Sequence, residues 1–316
     1  MIFNKKNMKH LFNVFWKVKT LSILMLMILH TYFINGQNDP MLSQQGLNRF
    51  IFNPAAAGTS NYFHTSFISR NQWTGFPGSP ITNIFNAHNF IPALKVGIGL
   101  IAMQDKIGLE SNFNIKTAYS YHVWLDEDNM LSFGVSAGIY SKNFALEKII
   151  LENPSDINVN NLENTVKPDF DFGVEFNRQE LTAGFSITHL LNSHKNATNI
   201  KYPRHVYLYA SYIYPVLENI DLKSIASVSN TSNLFSCELA VIGELKNKFW
   251  IGVMNRFNES AVLMGGYYIT PKIRVGYSYD INYKPLKRYH GGSHEVFLHI
   301  MVEKKLIESK TPRFFH

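Results

Sequence analysis

The sequence predicts an all-β membrane protein, a transmembrane antiparallel up-and-down β-barrel of about fourteen strands that follows a cleaved signal peptide. Three observations predict it: a basic and apolar leader, a period-2 alternation of side chains from Tyr62 onward, and connections of two lengths. The chain therefore divides into a signal peptide (1–36), an N-terminal periplasmic or plug-like segment (37–61), the barrel (62–302) and a C-terminal periplasmic tail (303–316). The predicted location is the cell outer membrane.

The leader combines lysines with a short apolar run. Five lysines precede the apolar residues 21–29, and no acidic residue occurs before Asp39. A basic region, a short apolar run and a small residue at the cut are typical of a secretory signal peptide, with cleavage expected after Gly36. A membrane-anchoring helix is the alternative, but it needs about 20 apolar residues, and this run is shorter.

The charge balance changes once the leader is removed. The whole chain has 30 basic and 23 acidic residues, and the leader lysines supply most of that excess. The remaining chain has no clustered basic face or recognition motif, so nucleic-acid binding is excluded. Cys237 is the only cysteine. An internal disulfide and a lipid-modified cysteine after the leader are therefore both excluded.

Alternation with a period of two residues is clearest in the predicted strand 112–124. One face is mostly apolar or aromatic: Phe113, Ile115, Thr117, Tyr119, Tyr121 and Val123. The other face is polar or small: Asn112, Asn114, Lys116, Ala118, Ser120 and His122. Residues 131–139 repeat the plan with glycine and serine on the second face. A soluble sandwich usually crowds charges onto its polar face, whereas a small, mostly uncharged face suits a barrel lumen and the apolar face suits lipid.

The whole chain after Tyr62 follows this alternation. The predicted strands are 62–71, 81–90, 96–105, 112–124, 130–142, 170–176, 181–190, 205–214, 221–229, 236–245, 248–255, 260–269, 273–280 and 294–302. Their connections alternate between a short set and a set that contains 72–80, 143–169, 191–204 and 281–293. Outer-membrane barrels place short turns in the periplasm and long loops outside the cell. The acidic residues between 147 and 171 are interpreted as part of a solvated surface loop.

Short motifs in a fixed order resemble the PorP/SprF family of type IX secretion and gliding-motility membrane proteins of the Bacteroidota. They are 53–58 (NPAAAG), 70–73 (RNQW), 75–80 (GFPGSP), 105–108 (DKIG), 131–138 (LSFGVSAG), 189–192 (HLLN), 249–253 (FWIGV), 276–280 (GYSYD), 292–295 (GSHE) and 311–315 (TPRFF). Ala56 stands where the family usually has an aromatic residue. Because the motifs span the whole predicted mature chain, the resemblance is specific.

The resemblance implies an outer-membrane barrel that assists export or surface display of partner proteins. The implied partners are type IX secretion components and a secreted surface adhesin, with membrane lipid around the barrel. A passive porin or a transporter of small hydrophobic molecules is the alternative function. The motif residues offered as partner contacts are Asn53, Pro54, Gly58, Arg70, Gln72, Trp73, Asp105, Lys106, Gly108, His294 and Glu295.

The physical reading of two motifs is independent of the resemblance. Pro54 and Gly58 bracket an alanine run that turns tightly, so residues 41–58 are expected at the periplasmic mouth of the barrel or plugging it, with a plain first turn as the alternative. Phe50 and Phe52 beside this run either anchor a partner at the periplasmic rim or fill the barrel mouth. Arg70 is expected to pair with a lumen acid and Trp73 to lie at the bilayer interface.

The sequence predicts no enzyme, cofactor or metal site. Ser293 and His294 are adjacent on a predicted strand, where neighbouring side chains point to opposite faces, so they do not form a catalytic dyad. The chain has no H-E-x-x-H motif, calcium loop or cysteine pair.

Overall fold

The computed structural model describes residues 40–145, 164–191, 203–231, 234–284 and 288–303. The predicted signal peptide, the TPRFF motif and the tail beyond Glu303 lie outside the described residues. Fourteen antiparallel strands close into one barrel. The strands are β1 Tyr62–Asn71, β2 Ile81–Ile91, β3 Val96–Ile107, β4 Glu110–Trp124, β5 Asn129–Phe144, β6 Thr165–Arg178, β7 Leu181–Thr188, β8 His205–Leu217, β9 Ile220–Thr231, β10 Leu234–Leu245, β11 Phe249–Arg256, β12 Ser260–Thr270, β13 Ile273–Asn282 and β14 Ser293–Glu303.

The strand order is up and down, as the sequence predicts. Each strand pairs with its neighbours in sequence, and β1 pairs with β14 to close the sheet, with Arg70 opposite Glu295. Closure leaves no unpaired strand edge, so every strand has hydrogen-bonding partners on both sides. The predicted fold class and strand number are confirmed.

The two faces of the strands separate as predicted. In β4, Tyr119 and Tyr121 point outward and are 52% and 46% exposed, whereas Asn114 and Ser120 point inward and are 3% and 0% exposed. Residues that point outward along the other strands are also largely apolar, so an apolar belt surrounds the barrel. The polar side chains face the lumen, which is the arrangement of a transmembrane barrel.

Charged residues inside the barrel correct one expectation. Strand β6 begins at Thr165, so Asp169 and Asp171 belong to a strand and the interpretation of a solvated loop is wrong for them. Both face the lumen, where Lys116 Nζ lies 2.8 Å from Asp169 and 2.9 Å from Asp171. A buried carboxylate is stable in such a place because a cation pairs with it. Residues 146–163 of the predicted loop lie outside the described residues.

The chain enters and leaves the barrel at one end, where Tyr62 pairs with Glu303. The connections at that end have two to four residues. The first is residues 92–95 between β2 and β3, and the last is the turn between β12 and β13. The other end holds the longer connections 72–80, 145–164, 189–204 and 283–292. By the rule for such barrels the first end faces the periplasm and the second faces outward. No helix in the described part of the chain is long and apolar enough to cross a membrane.

Candidate functional site: a plug in the barrel lumen

Residues 42–58, called the plug below, lie inside the barrel. They form three short 3-10 turns, Gln45–Leu47, Arg49–Ile51 and Pro54–Ala56. The third turn begins with Asn53, whose side-chain oxygen accepts a 2.9 Å hydrogen bond from the Ala55 nitrogen, and Pro54 fills its first position. An asparagine cap followed by proline is a favourable start for a helical turn. The motif NPAAAG therefore encodes a compact turn rather than a strand.

The plug runs lengthwise through the lumen. At its C-terminal end the Gly58 nitrogen donates a 3.1 Å hydrogen bond to His88 Nδ1, near the periplasmic end of β2. At its N-terminal end the Leu42 carbonyl accepts a 3.3 Å hydrogen bond from Arg256, the last residue of β11 at the outer end. The plug thus enters from the periplasmic side, and its first residues lie in the extracellular half of the barrel.

A buried ionic cluster holds the N-terminal part of the plug. Arg70 Nη2 lies 2.7 Å from Asp280, and Arg70 Nη1 lies 3.3 Å from Glu295 and donates to Ser43 Oγ at 2.7 Å. Both carboxylates also bind the plug, because Ser43 Oγ donates to Asp280 at 2.6 Å and the nitrogens of Ser43 and Gln44 each donate to Glu295 at 2.8 Å. These five residues, called the Arg70 cluster, join the plug to the seam where β1 meets β14.

A second cation, Arg256, extends this anchorage to β10. Its Nε lies 2.6 Å from Glu238, and the same carboxylate accepts a 2.6 Å hydrogen bond from Gln45 of the plug. Sequence reasoning missed Arg256 and Glu238. The sequence could have indicated both residues, because each is a charged residue at one of the alternate strand positions that face the lumen, opposite an apolar face.

A third group of contacts holds Asn53. Its Nδ2 donates to the Tyr209 hydroxyl at 2.8 Å and to the Val174 carbonyl at 3.2 Å. The Tyr209 hydroxyl in turn donates to Glu175, which also pairs with Arg49 of the plug at 2.9 Å. The charges of Arg49 and Glu175 therefore compensate each other.

Glycines on the lumen face let the plug lie directly on the wall. A Cβ added at Gly97 would meet the Ala57 oxygen at 1.9 Å, and one added at Gly134 would meet the Ala55 nitrogen at 2.1 Å. Real Cβ atoms do not approach other atoms so closely. Gly134, on the predicted glycine and serine face of β5, is therefore a point of close contact with the plug, which explains why it carries no side chain.

The structure brings five of the predicted site residues to the plug and its anchors: Asn53, Pro54, Gly58, Arg70 and Glu295. Arg70 pairs with lumen acids, as expected. Asp105 also faces the lumen and accepts a 2.6 Å hydrogen bond from Thr82 on β2. Lys106 is exposed beside it on β3.

The remaining predicted residues lie at the extracellular end. The Gln72 nitrogen donates to the Pro80 carbonyl at 2.9 Å, and the Trp73 nitrogen donates to Ser293 Oγ at 3.1 Å. The Gly108 nitrogen donates to the Gly78 carbonyl at 2.9 Å. His294 points away from the lumen, and its Nδ1 lies 2.5 Å from the Tyr277 hydroxyl.

Phe50 and Phe52 require a correction. They are 2% and 9% exposed, so they are not available as anchors for a partner at the periplasmic rim. Phe50 packs against His88, with ring centroids 4.9 Å apart, and Phe52 packs against Tyr207 at 5.1 Å. Their apolar rings fill the lumen, which was the alternative interpretation of these residues.

The side chains of Ser293 and His294, which are adjacent on β14, point to opposite faces of the strand, as strand geometry requires. Ser293 is 1% exposed and binds Trp73 on the inner side, whereas His294 contacts tyrosines on the outer side. Among the described residues, no group of three or more histidine, cysteine, aspartate and glutamate side chains is placed to hold a metal ion.

Comparison with protein families decides the identity of this plugged barrel. The model of the type IX secretion system membrane protein PorP/SprF matches residues 34–300. The chain belongs to the PorP/SprF family. Together with the closed barrel and its apolar belt, this membership makes the chain an integral outer-membrane protein. A search of curated protein sequences finds no significant match.

Three solved structures are similar to this PorP/SprF chain at low identity. The Ralstonia pickettii toluene transporter TbuX is 10% identical, with 80% of this chain and 92% of that chain covered and a TM-score of 0.49. The CymD monoaromatic hydrocarbon channel is 10% identical, with coverage of 84% and 94% and a TM-score of 0.47. A Pseudomonas aeruginosa FadL homologue is 11% identical, with coverage of 79% and 92% and a TM-score of 0.43.

Proposed function

We propose that this chain is a non-enzymatic accessory of a type IX secretion system that assists export or surface display of partner proteins, such as a large adhesin. Membership of the PorP/SprF family is the observation that carries the proposal. The partners are then components of the secretion machine and the secreted protein, and the outward apolar belt is the surface that meets lipid.

The filled lumen favours this function over a passive porin or a transporter of small hydrophobic molecules. The plug occupies the lumen along its length, and two cavities beside it have room for only a few water molecules. The ionic anchors at Arg70, Arg256 and Arg49 bind the plug to the wall on several sides. A water-filled channel needs an open path, and the plug stands in that path.

The surface that we expect to meet a partner is at the extracellular end. The connection 72–80 is held to its neighbours by backbone hydrogen bonds: Thr74 nitrogen to the Gly292 carbonyl at 2.8 Å, Gly291 nitrogen to the Thr74 carbonyl at 2.7 Å, and Gly108 nitrogen to the Gly78 carbonyl at 2.9 Å. Phe76, Leu109 and Tyr289 project from this hydrogen-bonded surface and are 39%, 42% and 71% exposed. Rigid aromatic side chains bind proteins at a low cost in entropy.

The proposal is tested by deleting the gene and complementing it. Deletion should reduce the amount of one or more proteins on the cell surface and leave the permeability to small solutes unchanged. Complementation with the double variant Phe76→Ser/Tyr289→Ser should return a folded barrel to the outer membrane but should not restore surface display of the partner protein. The matched variant Tyr119→Phe, on the lipid-facing wall, should restore both. Unaltered surface proteins together with lost uptake of a nutrient would overturn the proposal and favour the transporter.

A further inference from the structure

We propose that the lumen wall is a polypeptide-binding site, and that the plug is an exchangeable ligand of this site which a segment of similar pattern supplied in trans can replace. The inference goes beyond the secretion role and does not rest on it. The ligand class is a polypeptide with an aromatic-x-aromatic-Asn-Pro pattern followed by small residues, as in residues 50–57 of this chain.

The wall binds the main chain of the plug as well as its side chains. Side chains of the barrel contact six main-chain atoms that are spread over the whole length of the plug. They are Ser43 N and Gln44 N with Glu295 (2.8 Å each), Leu42 O with Arg256 (3.3 Å), Phe52 O with Ser186 (2.7 Å), Ala55 O with Ser120 (3.0 Å) and Gly58 N with His88 (3.1 Å). Main-chain recognition of this kind supplies affinity in many peptide-binding proteins, while side-chain pockets supply specificity.

Two pockets supply that specificity. The Phe50 ring lies over Gly99, where an added Cβ would meet the ring at 2.3 Å. The Phe52 ring lies 5.1 Å from the Tyr207 ring and 5.4 Å from the Tyr209 ring. Asn53 next to it binds the Tyr209 hydroxyl. A ligand therefore needs two aromatic residues separated by one residue, with asparagine directly after the second.

The barrel wall is complete without the plug. All fourteen strands pair with one another around the closed sheet, and in the part of the chain that the structure describes no strand pairs with residues 42–58. Only residues 59–61 connect the plug to β1. A vacated lumen would admit water, which solvates Glu295, Asp280 and the arginines, so removal of the plug does not leave charges in a dry interior. The plug is therefore separable from the wall in a way that a core strand is not.

The test uses the full chain, folded in detergent and cut afterwards. A protease recognition sequence is inserted between Ser60 and Asn61, where the chain links the plug to β1, and the folded protein is cleaved. The probe is a fluorescent synthetic peptide of residues 40–60. The control peptide carries Phe50→Ser, Phe52→Ser and Asn53→Ala. Fluorescence anisotropy and co-elution in size-exclusion chromatography report binding.

We expect the cut fragment to stay with the barrel and to be replaced by excess labelled peptide at one site per barrel, while the control peptide does not bind. Glu295→Gln should speed the release of the fragment about tenfold, because loss of a buried charge contact acts mainly on the dissociation rate. Glu303→Gln, at an exposed ion pair with Lys272, should leave the rate unchanged. If Glu295→Gln does not fold, Ser186→Ala should accelerate release to a smaller extent.

Three results would overturn the inference. The first is a fragment that stays bound and never exchanges, which makes the plug a permanent part of the core. The second is a fragment that leaves while the labelled peptide fails to enter. The third is equal binding of the control peptide. Since the purified protein is measured, none of these results depends on the secretion phenotype that tests the proposed function.

Discussion

Glu295 Oε2 accepts a 2.8 Å hydrogen bond from the main-chain nitrogen of Ser43, which lies 252 positions earlier in the chain. Glu295 is on β14 and directly opposite Arg70 of β1, the pair of strands that closes the barrel. This anchor of the plug therefore requires both closing strands to be in register. Closure of the barrel therefore favours docking of the plug, because it positions the carboxylate that binds the main-chain nitrogens of Ser43 and Gln44.

Loss of the Glu295 charge should destabilise the closed barrel. Glu295→Gln removes the anion that Arg70 and two plug nitrogens share, and breaking a buried pair of this kind costs about 3–5 kcal/mol. Urea unfolding followed by tryptophan fluorescence measures the change in the free energy of unfolding. Glu303→Gln is the matched control, because its ion pair with Lys272 is exposed and contributes about 0–1 kcal/mol. Equal losses in the two variants would contradict a special role for the Arg70 cluster.

A methyl group added to the wall that faces the plug should also lower the free energy of unfolding. Gly134→Ala places a Cβ within 2.1 Å of the Ala55 nitrogen, so the plug must shift, at a cost of about 1–3 kcal/mol. Gly243→Ala makes the same chemical change on β10, where the nearest atom is 4.0 Å away, and should alter stability by no more than about 0.5 kcal/mol. For each variant, the temperature at which the barrel unfolds is read from the change in its electrophoretic mobility on a gel, and the two temperatures are compared. A larger loss at Gly243 would contradict the placement of the plug.

The barrel could be predicted from the sequence because its strands obey a local rule. In β4 and β5 most residues at every second position are apolar, and this alternation indicates which side faces lipid. The predicted strand 62–71 coincides with β1, and most other bounds differ by one or two residues. The start of β6 was missed by five residues, because Lys167 and Asp169 look like loop residues when their lumen environment is unknown.

The position of the plug could be predicted only in outline. A tight turn is indicated by Asn53, Pro54 and Gly58. A turn has no periodic pattern, however, so the sequence does not indicate whether it lies at the mouth of the barrel or in the lumen. The deciding contacts join residues far apart in sequence, such as Asn53 with Tyr209. For the same reason Phe50 and Phe52 gave no sign of whether they were exposed anchors or buried rings.

An arginine in the middle of the lipid-facing wall should destabilise the barrel. Val135 points outward at mid-strand and is 52% exposed, so Val135→Arg should cost about 2–4 kcal/mol. Asn143→Arg lies on the same face of the same strand at its outer end, where the cost falls to about 0–1 kcal/mol. Folding into lipid vesicles at a series of urea concentrations measures both. Equal costs would be inconsistent with a membrane-spanning β5.

The inward neighbour Ser136 is a poorer control than the alternation alone suggests. It is 3% exposed and donates a 2.5 Å hydrogen bond to Asp171. An arginine there has to displace packed lumen residues, so a loss of stability in Ser136→Arg would not by itself argue against a lipid-facing Val135. The comparison between Val135 and Asn143 avoids this difficulty, because neither side chain touches the lumen.

The orientation of the barrel is tested by cysteine labelling on intact cells. The background is Cys237→Ser, which removes the only native cysteine. Arg288→Cys lies at the end with the long connections, and Glu127→Cys lies in the turn between β4 and β5; both side chains are exposed. Because short turns face the periplasm, a large polyethylene glycol maleimide should label Arg288→Cys on intact cells. It should label Glu127→Cys only after the outer membrane is permeabilised, and the parent variant should stay unlabelled throughout. If Glu127→Cys alone were labelled on intact cells, the orientation of the barrel in the membrane would be the opposite of the one inferred. The extracellular surface around Phe76 and Tyr289 would then face the periplasm, and the proposed partner contacts would have to be made there.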